Sequence, residues 1–539
     1  MYKILIAIAF LFLAPLNFLA QNWAWMKGDS TTIFGKHYYG IKGVANTLNK
    51  PGHHTQAAHT TDSLNNLWLF GGTPDDDPIG SNSYNDLWKY NSTTNNWVWV
   101  HGDTVVGKKG IYGVQNVVNA NNKPGSRIGS IMWTDNAGSL WLFGGFGKGT
   151  TNGFLNDIWK YNTVTNEWVW INGDSTTNQL GVYGTKGISN VTNKPGGRKH
   201  PAHWIDNSGN FWLFGGIGLA KSGTNGYLND LWKYNPTSNQ WTWINGDSIT
   251  NKVGIYGNLG VSSSINKPGS RWSSAYWKDN IGNLWLFGGG GYAGINGGAL
   301  NDLWKYNIIS NQWTWIKGSN LYDPPGNYGS LGVSNNQNVP PGHLCSSYWQ
   351  DSANNFWLQG GSTSTLYGHS NNLWRYNLTS NQWTWIKGDT TLNLYGFYGQ
   401  QGNFNTANKP GERAFSSFWV NNENVLWLFG GARFTWLNSL FYNDLWKFDL
   451  SEYVGLKESV YENNNLKIYP NPTNDIINIE IKEKGDFLLT IYDSQGKAIY
   501  TNENINTAST ISLKNFATGI YNIVLITEKG IISKKIILN

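Results

Sequence analysis

One short motif recurs six times along this chain of 539 residues and divides most of it into similar units. The motif is Trp-Leu-Phe-Gly-Gly, in one copy Trp-Leu-Gln-Gly-Gly, and its copies begin at Trp68, Trp141, Trp212, Trp285, Trp357 and Trp427. Successive copies are therefore 70 to 73 residues apart. A fixed period of this length indicates one structural unit that is repeated, with each copy burying its apolar face against its neighbours.

Each unit predicts four short β-strands, which we name A to D. Alternating apolar and polar residues, rich in Trp, Tyr, Ile and Val and bounded by Gly, Asn and Asp, are typical of half-buried strands. In the second unit we expect the strands at residues 127–134, 139–145, 155–162 and 167–172. The A–B and C–D links are rich in turn-forming residues, so neighbouring strands should be antiparallel. Four antiparallel strands that repeat radially predict a β-propeller blade.

The two ends of the repeated region complement each other. The sixth unit has a strand C at residues 443–449, but no Trp-x-Trp pair follows it as in the other units. Such a pair occurs near the start of the chain, at Trp23 and Trp25. We therefore expect residues 22–29 to supply strand D of the last blade. The sequence predicts an all-β fold, with a six-bladed propeller over residues 21–450.

The repeated units resemble kelch repeats. The resemblance rests on the Gly-Gly after strand B, the Tyr-Asn at the end of strand C, and Thr-Asn-x-Trp segments such as residues 165–168. It covers roughly residues 22–450 and implies a kelch-type propeller. The period departs from the roughly 50 residues of an ordinary kelch repeat. The additional residues of each unit lie between its strand D and strand A of the next unit.

Both ends of the chain carry features that indicate export. Lys3 precedes an apolar run at residues 4–13, and Ala20 precedes an expected cleavage site. This predicts a signal peptide at residues 1–20, since the run is shorter than the ~20 residues that a membrane span needs. No integral membrane segment is expected after its removal. Residues 451–465 form an expected linker, and the Ile- and Lys-rich residues 466–539 predict a small Ig-like antiparallel sandwich.

Residues 466–539 resemble the C-terminal sorting domain of type IX secretion in the phylum Bacteroidota. Four landmarks occur in order: Ile-Tyr-Pro-Asn-Pro at 468–472, Ile-Tyr-Asp-Ser-Gln-Gly-Lys at 491–497, Thr-Gly-Ile-Tyr at 518–521, and Lys-Lys at 534–535. The resemblance implies that the type IX machinery is a partner of this domain. It also implies that the protein is released or attached at the outer-membrane cell surface.

Composition narrows the partners further. The net charge is +6, from 39 basic and 33 acidic residues, and no long Lys/Arg run occurs, so we expect no nucleic-acid partner. Of the 31 tryptophans, 29 belong to repeated framework positions, and only Trp272 and Trp436 do not. Both lie on the face that carries the long B–C and D–A connections, which we call the long-loop face. Long loops on a rigid scaffold commonly carry binding sites.

Strand A begins with an arginine in four units, at Arg127, Arg198, Arg271 and Arg413, with His54 and Leu344 assigned to this position in the other two. Arranged around the axis, these residues would form a positive ring at the channel mouth that binds an anionic ligand. The alternative is structural: each arginine would tie down neighbouring loop carbonyls.

The sequence favours a secreted or cell-surface binding or adhesion protein, with a glycan as ligand and Trp272, Trp436, the four arginines and His54 as its site. A protein ligand is one alternative. A carbohydrate enzyme is another, because kelch-type propellers include galactose oxidase and a sialic acid epimerase. However, six histidines near the strand A positions show no metal-ligand spacing, namely His53, His54, His59, His200, His203 and His343. We therefore expect no metal and no cofactor, and we assign no catalytic residue.

Overall fold

The computed structural model describes residues 22–30, 37–75, 82–294, 297–363, 368–434, 439–450, 466–481, 487–493, 498–505, 507–527 and 530–539. The chain divides into two compact units, Met1–Ser451 and Glu452–Asn539. The expected signal peptide and linker lie outside the described residues. Within them the regular elements are all β-strands, which agrees with the fold class that the sequence predicts. No helix in the described part is long and apolar enough to cross a membrane.

The first unit is built from short strands. In chain order they are β1 (Trp23–Lys27), β2 (Ala58–Thr61), β3 (Asn66–Phe70), β4 (Leu87–Asn91), β5 (Asn96–His101), β6 (Arg127–Ile128), β7 (Ile131–Thr134), β8 (Leu140–Lys148), β9 (Asn152–Asn162), β10 (Glu167–Asn172), β11 (Arg198–Lys199), β12 (Ala202–Ile205), β13 (Phe211–Leu219), β14 (Asn225–Asn235), β15 (Gln240–Asn245), β16 (Arg271–Trp272), β17 (Ala275–Lys278), β18 (Leu284–Tyr292), β19 (Gly297–Asn307), β20 (Gln312–Lys317), β21 (Ser347–Gln350), β22 (Phe356–Ser362), β23 (His369–Asn377), β24 (Gln382–Lys387), β25 (Phe404–Asn405), β26 (Ser417–Val420), β27 (Val425–Phe429), β28 (Ala432–Arg433), β29 (Leu440–Phe441) and β30 (Leu445–Asp449).

These strands form six antiparallel sheets that correspond to the six sequence units, and we number them as blades 1 to 6 along the chain. In the order A to D their strands are β2-β3-β4-β5, β6/β7-β8-β9-β10, β11/β12-β13-β14-β15, β16/β17-β18-β19-β20, β21-β22-β23-β24 and β26-β27-β30-β1. Strand A is split into two short strands in blades 2 to 4. The propeller fold expected from the sequence is thus the fold of this unit.

Blade 6 takes its fourth strand from the start of the chain. Strand β1 pairs antiparallel with β30, with Trp23 opposite Phe448 and Trp25 opposite Trp446. The Trp23 side chain is only 2% exposed. The first and last strands of the propeller are therefore joined by backbone hydrogen bonds and apolar packing rather than by a covalent link.

A closed ring of backbone hydrogen bonds surrounds the propeller axis. One residue per blade, at the bend of strand A, has a φ between 51° and 61°, and we call these residues the axial ring: Gln56, Gly129, His200, Ser273, Cys345 and Phe415. Each backbone N–H donates to the carbonyl oxygen of the axial-ring residue in the preceding blade, at 2.8 to 3.3 Å. The sixth residue accepts from the first, so the ring closes after six blades.

The bend of strand A at the axial ring brings its backbone close to the Gly-Gly pair of strand B, where only glycine fits. In blade 2, Gly145 has a φ of +103°, and a Cβ there would lie 2.8 Å from the carbonyl oxygen of Ile128. A larger residue would therefore clash with the strand that it pairs with, in a conformation that side chains disfavour.

Blades pack on each other through the first Trp of each Trp-x-Trp pair. In five blades this indole lies 5.2 to 5.7 Å from a strand B Phe of the preceding blade, and the pairs are Trp97–Phe429, Trp168–Phe70, Trp241–Phe143, Trp313–Phe214 and Trp383–Phe287. Edge-to-face and tilted contacts of this kind add to the free energy of apolar burial. The framework role assigned to these tryptophans agrees with this packing.

The extra length of each repeat covers the outer edge of its blade. Segments of the D–A inserts form backbone bridges to strand D of the blade that they lead into, as in Asn46 with Trp97 and Asn190 with Trp241. In blade 6 the insert strand β25 pairs with β1. An uncovered edge strand invites pairing with other chains. The inserts therefore explain the long period: they protect the edges of the propeller.

The second unit contains seven strands in the described part: β31 (Leu466–Tyr469), β32 (Ile476–Ile481), β33 (Phe487–Tyr492), β34 (Ala498–Ile505), β35 (Ala508–Ser512), β36 (Gly519–Thr527) and β37 (Gly530–Leu538). They form two sheets, β31-β32-β35 and β34-β33-β36-β37. Buried Ile and Leu side chains from both sheets share one core, including Ile479 and Leu525.

Candidate functional site

The four strand A arginines are buried structural groups. Each guanidinium donates two hydrogen bonds of 2.6 to 2.9 Å to an aspartate of strand C in its own blade, and the pairs are Arg127–Asp157, Arg198–Asp230, Arg271–Asp302 and Arg413–Asp444. Both side chains of every pair have 0% exposure. The positive ring at the channel mouth is therefore not formed, because each charge is neutralised inside its blade.

Further contacts fix each arginine in place. Arg127 also donates to the carbonyl oxygens of Gly125 and Gly144, at 3.0 and 2.9 Å. Burial opposes the charge of the guanidinium, but Asp157 outweighs this effect and raises the pKa of Arg127. Tyr112 of the D–A insert donates to Asp157 as well, at 2.7 Å. The structural alternative, in which the arginines tie down loop carbonyls, is what the geometry shows.

Blades 1 and 5 have histidine where the others have arginine. In blade 5 this position belongs to His343 and not to Leu344, because the His343 N–H donates to Leu300 as the Arg127 N–H donates to Tyr84. In blade 1 the residue is His54, whose side chain is fully buried and offers no exposed surface to a glycan. Its Nδ1 is hydrogen-bonded to the Gly71 carbonyl oxygen at 2.6 Å, and burial lowers its pKa to about 4.

The two remaining candidates are the tryptophans, and one of them is described. Trp436 lies outside the described residues. Trp272 ends β16, directly before Ser273 of the axial ring, and its side chain is half-buried. Its ring centroid lies 5.6 Å from that of His200 and 6.2 Å from that of Phe415, with an angle of 28° between the indole and phenyl planes.

Trp272 therefore belongs to a group of rings at the channel mouth, which we call the mouth cluster: His200, Trp272, Phe415 and Phe434. Phe434 lies 6.1 Å from Phe415. Gln56 adds a polar group, with its Oε1 2.9 Å from Nε2 of His200. Sequence reasoning missed His200, Phe415 and Gln56. The available signal was their fixed position two residues after the arginine or histidine that begins strand A.

Below the mouth cluster lies a cavity of about 350 Å³ along the axis, lined by strand A of all six blades. A second ring of side chains, one per blade, narrows it: His59, Met132, His203, Tyr276, Tyr348 and Phe418. Neighbouring aromatic rings here are close, with 4.7 Å between the centroids of Tyr276 and Tyr348 and 4.4 Å between those of Tyr348 and Phe418. The Tyr276 hydroxyl is hydrogen-bonded to Nδ1 of His203.

The cavity is electrically neutral. Among the described residues that line it there is no Asp, Glu, Lys or Arg. Burial lowers the pKa of His203 to about 3 and that of His59 to about 4, so both are uncharged near pH 7. Burial likewise raises the pKa of the Cys345 thiol, which is therefore not a thiolate. An anionic ligand, expected from the arginines, has no countercharge among these residues.

Family models match two parts of the chain. Residues 467–539 match the secretion system C-terminal sorting domain, and residues 137–169 match the Kelch motif. These matches confirm the resemblance to a kelch-type propeller followed by a type IX sorting domain. The protein is accordingly secreted through the type IX system, to the cell surface or the extracellular space. A comparison with curated proteins found no match.

Solved structures with a similar fold include one titled "Structure of YjhT". It is 14% identical, with a TM-score of 0.43, and the similarity covers 74% of this chain and 95% of that one. Another is a fungal alcohol oxidase of the AA5 family in complex with copper. It is 12% identical, with a TM-score of 0.43, and the similarity covers 93% of this chain and 100% of that one.

Proposed function

We propose that this protein is a secreted or surface-attached binding protein that binds an uncharged glycan at the mouth of its axial channel. The observation that carries the proposal is the lining of that site: aromatic rings and neutral hydrogen-bonding groups, with no charged side chain among the described lining residues. Ligand pockets commonly combine apolar and aromatic walls with a few polar groups that fix orientation.

The mouth cluster suits a sugar ring in two respects. The indole of Trp272 and the phenyl ring of Phe415 lie 6.2 Å apart, with an angle of 28° between their planes, so the mouth offers aromatic rings that can pack against the C–H groups of a pyranose. The Gln56 amide and the His200 imidazole lie beside this surface and can exchange hydrogen bonds with hydroxyl groups.

The backbone at the mouth favours a glycan over an extended peptide. Peptides that bind by strand addition need free backbone N–H and C=O groups on the receptor. At the axial ring every N–H already donates to the carbonyl oxygen of the ring residue in the preceding blade. A ligand at the mouth must therefore be bound by side chains, and sugars are commonly bound in this way.

The test is a glycan array probed with the mature chain, residues 21–539, and with its Trp272→Ala and Phe415→Ala variants. We expect the native chain to bind neutral glycans. Each variant should lose an aromatic contact with the sugar and bind at least tenfold more weakly, which corresponds to a loss of about 1.4 kcal/mol of binding free energy. Trp243→Ala is the matched control: this half-buried Trp lies in strand D of blade 3, away from the mouth. Full binding by both mouth variants would contradict the site, and binding to no glycan would contradict the ligand class.

A second candidate function, binding of a protein partner, is favoured by a different surface. The D–A inserts expose large apolar side chains in successive blades, including Ile41 (73% exposed), Val114 (68%), Val191 (77%) and Ile265 (67%). Apolar residues that recur on an exposed rim are typical of interaction sites. Binding of a protein partner to this rim should be unaffected by Trp272→Ala, whereas binding of a glycan at the mouth should be weakened. The same variant therefore distinguishes the two functions.

A further inference from the structure

Blade 1 combines three residues at neighbouring positions that no other blade brings together. His54 occupies the arginine position. His37 stands where the other five blades have glycine, at Gly110, Gly181, Gly254, Gly326 and Gly396. Tyr84 stands where blades 2 to 4 have Leu155, Leu228 and Leu300, and blade 6 has the equivalent Tyr442. The fold brings His37 and His54 together with Asp86, so that one potential metal-ligand atom from each lies within 4.8 Å of the others.

The charges of blade 1 do not balance as they do elsewhere. Four blades pair a buried aspartate with a buried arginine. Blade 5 loses both charges together, because Asn372 replaces the aspartate and His343 replaces the arginine. Blade 1 loses the arginine but keeps Asp86, whose side chain is fully buried. A buried carboxylate is costly unless a cation compensates it.

Two buried atoms of this cluster lack hydrogen-bond partners. Nε2 of His54 and Oδ1 of Asp86 are buried and have no hydrogen-bond partner. Nδ1 of His54 is bonded to the Gly71 carbonyl, which leaves the Nε2 lone pair free for another ligand. Nε2 lies 3.7 Å from the other carboxylate oxygen of Asp86, Oδ2, which accepts hydrogen bonds from Tyr39 and Trp88. One ion can bridge that gap, because bonds from Zn²⁺ to nitrogen and to oxygen are each about 2.0–2.2 Å long.

We propose that blade 1 binds a divalent transition-metal ion, best matched by Zn²⁺, through His54, Asp86 and His37, with the Tyr84 hydroxyl beside the ion. Two imidazoles and a carboxylate are a donor set that zinc accepts readily. The ion takes over the role of the missing guanidinium as the counter-ion of the buried carboxylate. The ligands 37, 54 and 86 form no sequence motif, which is why their spacing predicts no metal.

His37 binds in the tautomer opposite to that of the metal-free chain. The Gly52 N–H donates to Nδ1 of His37 at 3.1 Å, so the proton of the neutral ring lies on Nε2, which faces the Tyr84 hydroxyl at 2.8 Å. When Nε2 binds the ion, this proton moves to Nδ1 and the hydrogen bond from Gly52 is given up. The ring remains neutral, and no net proton is released.

The position of the site gives it a mechanical role. His37 lies in the insert that connects β1, the strand that closes blade 6, to strand A of blade 1. His54 lies shortly before β2, which is strand A of blade 1, and Asp86 directly precedes β4, which is its strand C. The metal therefore fastens the N-terminal segment to blade 1, beside the junction of the propeller that has no covalent link.

The test measures metal bound to the untagged mature chain after chelation, reconstitution with Zn²⁺ and desalting. We expect one equivalent of zinc per chain by mass spectrometry, and an absorption spectrum of four-coordinate Co²⁺ when cobalt replaces zinc. The informative variant is His54→Arg, which removes a ligand but restores the residue of blades 2, 3, 4 and 6. We expect it to fold, to bind no zinc, and to melt at a temperature that chelator does not change.

Two further variants make the result decisive. His37→Gly restores the glycine of the other blades and should also lose the zinc, so it replaces His54→Arg if that variant does not fold. His343→Ala in blade 5 should retain one equivalent. The proposal is overturned if the native chain binds no Zn²⁺, Co²⁺, Cu²⁺ or Mn²⁺ at one equivalent, or if His54→Arg and His37→Gly bind as much as the native chain. One equivalent of another of these ions, lost in both variants, would support the site and refute zinc.

Discussion

Replacement of Arg271 by methionine tests whether the strand A arginines are structural. In the native chain the guanidinium donates to the Gly269 and Gly288 carbonyl oxygens, at 3.0 and 3.1 Å. It also donates twice to Asp302, at 2.7 Å each. Methionine fills a similar volume but leaves the fully buried carboxylate without its cation and two carbonyls without a donor.

The expected cost follows from this geometry. Breaking a buried ion pair by removing one partner destabilises a protein by about 3–5 kcal/mol. For a cooperative unit of roughly 430 residues, an unfolding entropy of ~2.1 cal/mol/K per residue gives ~0.9 kcal/mol/K. Arg271→Met should therefore lower the Tm of the propeller by about 3–6 °C, as measured by calorimetry on the mature chain.

A second substitution makes the test specific. Asp302→Asn removes the unpaired charge but keeps an oxygen that can accept hydrogen bonds from Tyr256 and Trp304. Blade 5 already has this neutral arrangement, in which Nδ2 of Asn372 donates to the Tyr328 hydroxyl. We expect the double variant to be more stable than Arg271→Met alone. If Arg271→Met left the Tm unchanged and abolished ligand binding, the arginine would be a ligand group and the structural assignment would be refuted.

Three further predictions concern the rest of the propeller. Removal of residues 22–29 uncovers the backbone edge of β30, so we expect a Tm more than ~5 °C lower or a strand-exchanged oligomer, by calorimetry and gel filtration; an unchanged monomer would contradict ring closure by β1. Burial raises the pKa of Glu412 from 4.5 to about 8, so the folded chain keeps a proton that the unfolded chain releases. The unfolding free energy should therefore fall between about pH 5 and pH 8, and Glu412→Gln should flatten this slope in pH-dependent melts. The Cys345 thiol is buried and protonated, so iodoacetamide should label it at least ~100-fold more slowly in the native chain than in urea; equal rates would place it at the surface.

The repeat framework could be predicted from the sequence because its determinants are local. The Trp-x-Trp pairs, the Gly-Gly bends and the turn residues recur at fixed offsets, and each specifies a strand or a turn within its own unit. The fourth strand of blade 6 could be predicted by subtraction, since one unit lacked a strand and the start of the chain supplied it. The pairing of the D–A inserts with strand D could not be predicted, because the inserts show no strand periodicity and pair through isolated bridges.

The role of the arginines depends on a contact about thirty residues away, and periodicity does not report such contacts. Comparison of the units with each other would have found it. An aspartate follows in strand C wherever strand A begins with arginine, and Asn372 replaces it in blade 5, where the arginine is absent. Blade 1 breaks that pairing, since Asp86 persists beside His54. The exception is therefore visible in the sequence once the rule is known.

The axial ring combines a repeated backbone with side chains that differ from blade to blade. Its six residues share one backbone conformation and one hydrogen-bonding pattern, yet they are six different amino acids: Gln56, Gly129, His200, Ser273, Cys345 and Phe415. Because backbone hydrogen bonds maintain the ring, its side chains need not be the same in every blade. Framework positions behave in the opposite way, since Trp and Gly recur there for reasons of packing and conformation. A symmetrical scaffold can bind an asymmetrical ligand only through positions that vary between its units. In this protein such positions meet at the channel mouth, where we propose the glycan site, and in blade 1, where we propose the metal site.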